Sequence, residues 1–188
     1  MKKILSDLRL STQNFGRISA ISVCGMLLAL KVVLGFFTIS VSNLLRIGFS
    51  FLPIAVSGML FGPAVGMAMG AAGDVLTYII HPTGPFFPGL TLNAIVSGFL
   101  YGVILYRKPV TLLRTFSVKA IDTVLISLLL NPLWLCILYG KAFPVVLASR
   151  ITTNLIMLPI ETVLLYAVLR LLDQQYFFHS EGKNKIHH

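Results

Sequence analysis

The chain has 188 residues, 56% of them hydrophobic and 11% charged, with a mean hydropathy of +0.90. Soluble domains carry roughly a quarter charged residues, so a soluble fold is excluded and the chain reads as an integral membrane protein. The net charge of +9 sits in connections between apolar runs rather than on one soluble basic face, which excludes nucleic acid as a partner.

Residues 1–17 form a short basic segment carrying Lys2, Lys3, Arg9 and Arg17. It is not expected to be a cleavable signal peptide, because the apolar run behind it is too long for such a signal and lacks a clear small-residue cleavage site. That run, 18–38, is the first expected membrane span. Within it Ser22, Gly25 and Ala29 recur at spacings of three and four, a small-residue strip of the kind that lets helices approach closely. Lys31 lies about 200° around the helix from Ala29 at ~100° per residue, so the strip and the lysine face opposite ways. The strip serves either internal packing or docking.

From Arg46 to Asn93 the chain is almost entirely apolar, Gly and Pro. Spans are expected at 46–62, 64–80 and 90–106, each near the ~17 residues that a helix needs to cross hydrocarbon. Asp74 interrupts this run, and a charge there costs roughly 2.5–3.5 kcal/mol, so it should face a protein interior with a partner or ligand. Thr77 and Tyr78 share its face, with Tyr78 either offering a ring to a flat ligand or anchoring at the interface. Gly62, Gly66 and Gly70 make a second small-residue strip, expected to pack internally. The loop "HPTGPFFPG", His81 to Gly89, stops the helix, and Phe86 and Phe87 give it aromatic surface.

The fifth and sixth spans are expected at 118–139 and 144–172. Asn131 and Pro132 precede Trp134, the single tryptophan, and the proline predicts a kink that either shapes a site or serves packing. Arg150, Asn154 and Glu161 fall on one stripe of the last helix. Threaded with the N-terminus inside, Lys31, Asp74, Asn131, Arg150 and Asn154 all lie roughly 9–15 Å below the outer surface at ~1.5 Å per residue, with Arg46 and Asn93 at outer helix ends. This single layer predicts an outward-opening pocket roofed by loops; the alternative is an interhelical bridge such as Arg150 with Asp74. Eleven of the fifteen basic residues, Lys119 among them, fall on one side, which the positive-inside rule makes cytoplasmic together with both termini. The expected fold is one all-α domain, a compact bundle of six transmembrane helices with a polar tail at 173–188.

The chain has no GxxxxGK[ST] loop, HExxH or GxSxG. Cys24 and Cys136 sit in apolar runs and no His has metal-ligand spacing. Neither an enzyme, a metal site nor a cofactor is expected. A ligand pocket without an energy source needs partners to drive transport; a proton-coupled secondary carrier using Asp74 or Glu161 is the alternative from another class.

The run "RIGFSFLPIAVSGMLFGPAVGMAMGAAGDVLTYIIHPTGPFFPGLTLNA" resembles the substrate-binding S components of energy-coupling factor (ECF) vitamin transporters, and within them the folate-specific type. The resemblance covers nearly the whole chain. It implies a protein of the bacterial plasma membrane that captures folate at the outer face and releases it inside by toppling in the bilayer. Its implied partners are an ECF transmembrane subunit and two ATPase subunits. Gly25 and Ala29, with Ser22 beside them, match the AxxxA-like docking motif, with Gly25 where alanine is usual; Ala20 with Cys24 is an alternative register. Folate suits the polar inventory. A pterin presents an N–H edge to Asp74, Glu161 or Asn131 and a flat face to Trp134, Tyr78 or Phe86, its glutamate carboxylates suit Arg46, Arg150 and Lys31, and Asn93 and Asn154 complete the expected substrate-binding residues. Another vitamin, such as riboflavin or a pterin precursor, is the alternative within the family.

Overall fold

The computed structural model describes residues 2–13, 18–36, 39–40, 46–80, 82, 87–139 and 143–184. Within them run helices α1 (Lys2–Gln13), α2 (Ile18–Phe36), α3 (Phe51–Phe61), α4 (Pro63–Ile80), α5 (Pro88–Leu105), α6 (Leu112–Asp122), α7 (Asn131–Tyr139) and α8 (Phe143–Asn184). A π-helical segment, Thr123–Leu130, joins α6 to α7. The extended structure is one antiparallel pairing of β1 (Ile39–Ser40) with β2 (Arg46–Ile47), Ile39 opposite Ile47 and Ser40 opposite Arg46. Among the described residues, five helical stretches are long and apolar enough to cross a membrane: Ile18–Phe36, Pro63–Ile80, Pro88–Leu105, Leu112–Leu138 and Arg150–Gln174.

The span expected at 46–62 is different. Its helix is α3, of 11 residues, roughly 16 Å at 1.5 Å per residue against a hydrocarbon core of about 30 Å. Pro53 explains the late start, since proline fits the first turn of a helix but would break a hydrogen bond seven residues into one beginning at Arg46. The chain ahead of it instead pairs as β2. The fifth span also begins earlier than expected, at Leu112 rather than 118, because Thr111 caps the helix by accepting from the Arg114 amide. Lys119 therefore belongs to the helix interior, 5% exposed, and is not one of the loop charges.

The basic N-terminal segment is also not a simple tail. Helix α1 is pinned through Ser11, which is fully buried. Its Oγ donates to the Phe61 carbonyl at 2.7 Å and accepts from the amides of Ala64 and Val65 at 3.1 and 3.2 Å. One hydroxyl thus caps α4 from outside its own helix, satisfying donors that a helix start leaves unpaired. Gly62, at φ +93°, makes the sharp turn between α3 and α4, and a side chain there would strike Ser11.

Glycines set the central contact. A Cβ on Gly66 would collide with the Gly98 carbonyl, one on Gly70 with the Ala94 carbonyl, and one on Gly58 with the Gly102 backbone. Helices α3 and α4 thus meet α5 backbone to backbone, the close approach that small-residue strips permit in membranes. Below the seam Ile54, Ala55, Val56, Tyr101, Leu105, Val118, Leu165 and Leu169 form one buried cluster. The expected internal packing of the Gly62, Gly66 and Gly70 strip agrees with this. On α2 the opposite holds: Ser22, Gly25 and Ala29 are exposed, and a Cβ on Gly25 would meet nothing within 4 Å.

The two strips should respond differently to one methyl group. Gly98→Ala should lose roughly 1–3 kcal/mol to overpacking, read as a lower unfolding temperature in detergent, whereas Gly25→Ala should leave that temperature unchanged.

Candidate functional site

The C-terminal end of α4, the N-terminal end of α5 and the start of α7 carry the densest group of expected site residues. Asn93, 6% exposed, donates from Nδ2 to Asn131 Oδ1 at 2.9 Å and accepts at Oδ1 from Trp134 Nε1 at 3.0 Å. Three residues singled out from the sequence, Asn93 and Asn131 by depth and Trp134 by its place after Pro132, thus form one hydrogen-bonded chain. The π-helical segment makes this possible. Pro132 has no amide hydrogen to give, and the Asn131 amide reaches back five residues to the Ile126 carbonyl; the wider turn presents Asn131 to α5. Such π segments recur at functional sites. The expected kink at Asn131–Pro132 is a change of helical register.

Trp134 is covered from the loop side by Phe87, ring centroids 5.5 Å apart and planes at 56°, an attractive tilted pair. Gly89 permits it, because a Cβ there would strike both rings. Phe86, the aromatic expected at this place, lies outside the described residues. Asp74 accepts from Thr91 Oγ1 at 2.8 Å, which ties α4 to the start of α5. Among the described residues no ion pair joins Asp74 to Arg150. Lys31 is buried at 6% exposure, donates to the Gly70 carbonyl at 3.4 Å, and lies within electrostatic reach of Asp74. Its inward orientation, opposite to the exposed strip on α2, follows the 200° separation expected from the sequence. Tyr78 is half-buried one turn beyond Asp74, and Arg150 is half-buried on α8. Arg46 lies in β2, and its side chain is outside the described set.

A second polar level lies deeper, where Glu161 was the one residue expected. Asn93, Ser97 and Tyr101 occupy one stripe of α5 at spacings of four. Ser97 donates to Asp122 Oδ1, and the fully buried Tyr101 hydroxyl reaches Asp122 Oδ2 at 3.4 Å. Lys119 Nζ lies 3.0 Å from Glu161 Oε2 and 3.7 Å from Asp122 Oδ2. Asn154, seven residues before Glu161 on α8, has a buried amide Nδ2 without a hydrogen-bond partner among the described residues. Below the Asn93–Asn131–Trp134 chain in helix sequence, these further polar groups continue a seam that links α5, α6, α7 and α8. Thr91, Ser97, Tyr101, Lys119 and Asp122 escaped the sequence reading. The stripe of α5 and the Lys119–Asp122 pair, three apart inside an apolar run, were the signals that could have revealed them. Among the described residues no group of His, Cys, Asp and Glu could hold a metal ion.

These features match one family of membrane transport proteins. The family model of the ECF transporter substrate-specific component matches residues 19–169, and the chain belongs to that family. It is similar to the folate transporter FolT of Clostridium novyi (strain NT), 37% identical over 167 residues that span 89% of this chain and 97% of the relative. FolT of Leuconostoc mesenteroides is 32% identical over 164 residues, 84% of this chain and 86% of that one. A crystal structure of FolT bound with folic acid superposes with a TM-score of 0.74 at 33% identity, covering 81% of this chain and 93% of the other. The relatives are transport proteins and not enzymes. The chain is a multi-pass protein of the bacterial membrane.

Asn93 is the joint of the hydrogen-bonded chain, so Asn93→Leu should strand both the Asn131 amide and the Trp134 indole. An unmade buried hydrogen bond costs about 1–3 kcal/mol; a shifted emission maximum of the single tryptophan, with a lowered unfolding temperature, is the expected reading.

Proposed function

We propose that this chain is the folate-binding S component of an ECF-type importer, a six-helix protein with both termini cytoplasmic that takes folate at the outer face. The observation that carries this reading is the buried side-chain amide of Asn154 on α8, which has no hydrogen-bond partner among the described residues. A buried donor without an acceptor costs free energy, and a ligand carbonyl or ring nitrogen would satisfy it. A pterin offers such acceptors beside N–H donors, for which Asn131, Asn93 and Asp74 are acceptors, and Trp134, Tyr78 and Phe86 give aromatic faces. Arg46, Arg150 and Lys31 are the cations for the glutamate carboxylates. The names of the relatives, and folic acid in the similar crystal structure, support folate over riboflavin or thiamine.

Ser22, Gly25 and Ala29 are the proposed docking strip for the ECF transmembrane subunit, which two ATPase subunits drive. An apolar groove of about 270 Å³ lies beside the strip between α2 and α4, lined by Ala20, Cys24, Gly25, Leu28, Val65 and Met69 among others. Gly25 lines it without a side chain, so a partner helix can approach closely. Ala20, of the alternative register, is buried and less available to a partner. Release on the inside then follows from toppling of the docked protein in the bilayer.

Isolated in detergent, the protein should bind folate saturably by calorimetry, quench Trp134 as it does so, and ignore riboflavin and thiamine. Binding of another vitamin alone would keep the family and replace the ligand; no binding of any would end the proposal. Arg150→Ala should lose about 1.5–3 kcal/mol of folate binding if its guanidinium bonds a carboxylate. Gly25→Leu and Ala29→Leu should abolish ATP-driven uptake with the full complex while leaving folate affinity within about twofold.

A further inference from the structure

Helix α1 has 12 residues, with Lys2, Lys3 and Arg9 against the single acid Asp7, and is too short and too charged to cross a bilayer. Its place is nevertheless at a membrane boundary. Ser11 bonds the backbone of Phe61, Ala64 and Val65, where the crossing stretch Pro63–Ile80 begins. A Cβ on Gly62 would reach Ser11 at 2.8 Å and Tyr106 Cδ2 at 3.4 Å, and Tyr106 directly follows the crossing stretch Pro88–Leu105. The N-terminal helix and the α5–α6 turn therefore meet at the Gly62 turn, where one stretch begins and another ends. Arg9 precedes Ser11 by two residues, about 200° around the helix, and is exposed on the side away from the pin. Arg107, also exposed, stands over the Tyr106 ring with Cζ 5.9 Å from its centroid, its backbone in the left-handed region at φ +51°.

The bases near this end differ in what they are bonded to. Lys108 Nζ donates to the Val103 carbonyl and Arg114 Nη1 to the Pro109 carbonyl, each at 2.7 Å, so both serve their own turn. Among the described residues the guanidinium groups of Arg9 and Arg107 have neither a carboxylate nor a hydrogen-bond acceptor. We propose that α1 and the α5–α6 turn form a docking surface for the headgroups of anionic phospholipids, with Arg9 and Arg107 as the cations that meet the phosphates. A guanidinium matches phosphate oxygens in charge and in its forked geometry, and headgroups lie at the level where crossing stretches begin and end. Leu10, 38% exposed beside Arg9, adds apolar contact of the kind that interfacial helices combine with attraction to anionic lipid. A lipid surface fits better than an acidic protein because Ile18, 83% exposed, opens the next crossing stretch, so the surface continues into one that hydrocarbon covers. The Ser11 pin holds α1 in place beforehand, which lowers the ordering cost of binding. The inference is independent of the folate-binding reading.

The test is the unfolding temperature of the full chain in nanodiscs of phosphatidylcholine and of an equal mixture with phosphatidylglycerol. The mixed discs should raise it by about 4 °C, as expected for two arginines at an anionic surface, and added salt should shrink that increment. Arg9→Gln with Arg107→Gln should lose most of the increment. Arg114→Gln with Arg170→Gln removes the same charge from guanidinium groups already bonded to the Pro109 carbonyl and the Tyr166 hydroxyl, and should keep it. No increment in the unmodified protein, an increment retained without Arg9 and Arg107, or equal loss in both double variants overturns the proposal. Glycerol 3-phosphate added to phosphatidylcholine discs should not reproduce the increment; if it does, the site takes free phosphate and the lipid surface is ruled out. A second reading needs no unfolding. A bimane label on Leu10→Cys, with Cys24→Ser and Cys136→Ser, should emit further to the blue in mixed discs than in phosphatidylcholine, and lose that shift with Arg9→Gln and Arg107→Gln. Equal emission in the two kinds of disc overturns the docking of α1 on anionic headgroups.

Discussion

The backbone contact of α4 with α5 governs the rest of the molecule. Gly66 meets Gly98 and Gly70 meets Ala94 with no side chain between them, which fixes both the separation of the helices and the rotation of α5 about its axis. Ala94, Gly98 and Gly102 lie on one stripe of α5; Asn93, Ser97 and Tyr101 lie on another, one residue earlier and so roughly 100° around. Holding the glycine stripe against α3 and α4 aims the polar stripe at α6 and α7. A membrane gives little hydrophobic drive for helices to meet, so packing of this kind has to supply the orientation that a ligand site needs.

The polar seam carries a cost that this scaffold must meet. Lys119, Asp122 and Glu161 bring two negative charges and one positive into the apolar interior, and ions taken from water are only partly compensated by each other. Here the remaining valences are filled by Ser97, Tyr101 and the ring of Phe51. The upper chain is neutral by contrast: Asn93, Asn131 and Trp134 share two hydrogen bonds. Neutral amides exchange partners at less cost than ions do, so the Asn93–Asn131–Trp134 chain is the cheaper part of the seam to rearrange and the ionic part the costlier.

Much of this was legible from residue order, because a membrane makes polarity informative. Asn93 and Asn131 were marked by their depth and Trp134 by its place after the Asn131–Pro132 step, and the opposed faces of Ala29 and Lys31 followed from helical geometry. Three features were not legible, each for a physical reason. The shortness of α3 depends on Pro53, which hydropathy counts as part of an apolar run. Lys119 looked like a loop charge because Thr111, the true helix start, lies eight residues before it. Asp122 and Ser97 show their meaning only when α5 and α6 are side by side, a tertiary fact that no spacing within either helix contains. The N-terminal helix was missed because its anchor is a single serine whose partners are about fifty residues away.

That anchor has a consequence for the order of assembly. Ser11 is made before residues 61–65, whose backbone it caps, and until they arrive α1 has none of the three hydrogen bonds that bury its hydroxyl. The first helix must therefore wait, amphipathic and without those bonds, while α2 and α3 are made, and it can close over the Gly62 turn only after α4 has begun. Completion of this end of the bundle is a late event that joins the beginning of the chain to its third and fourth helices.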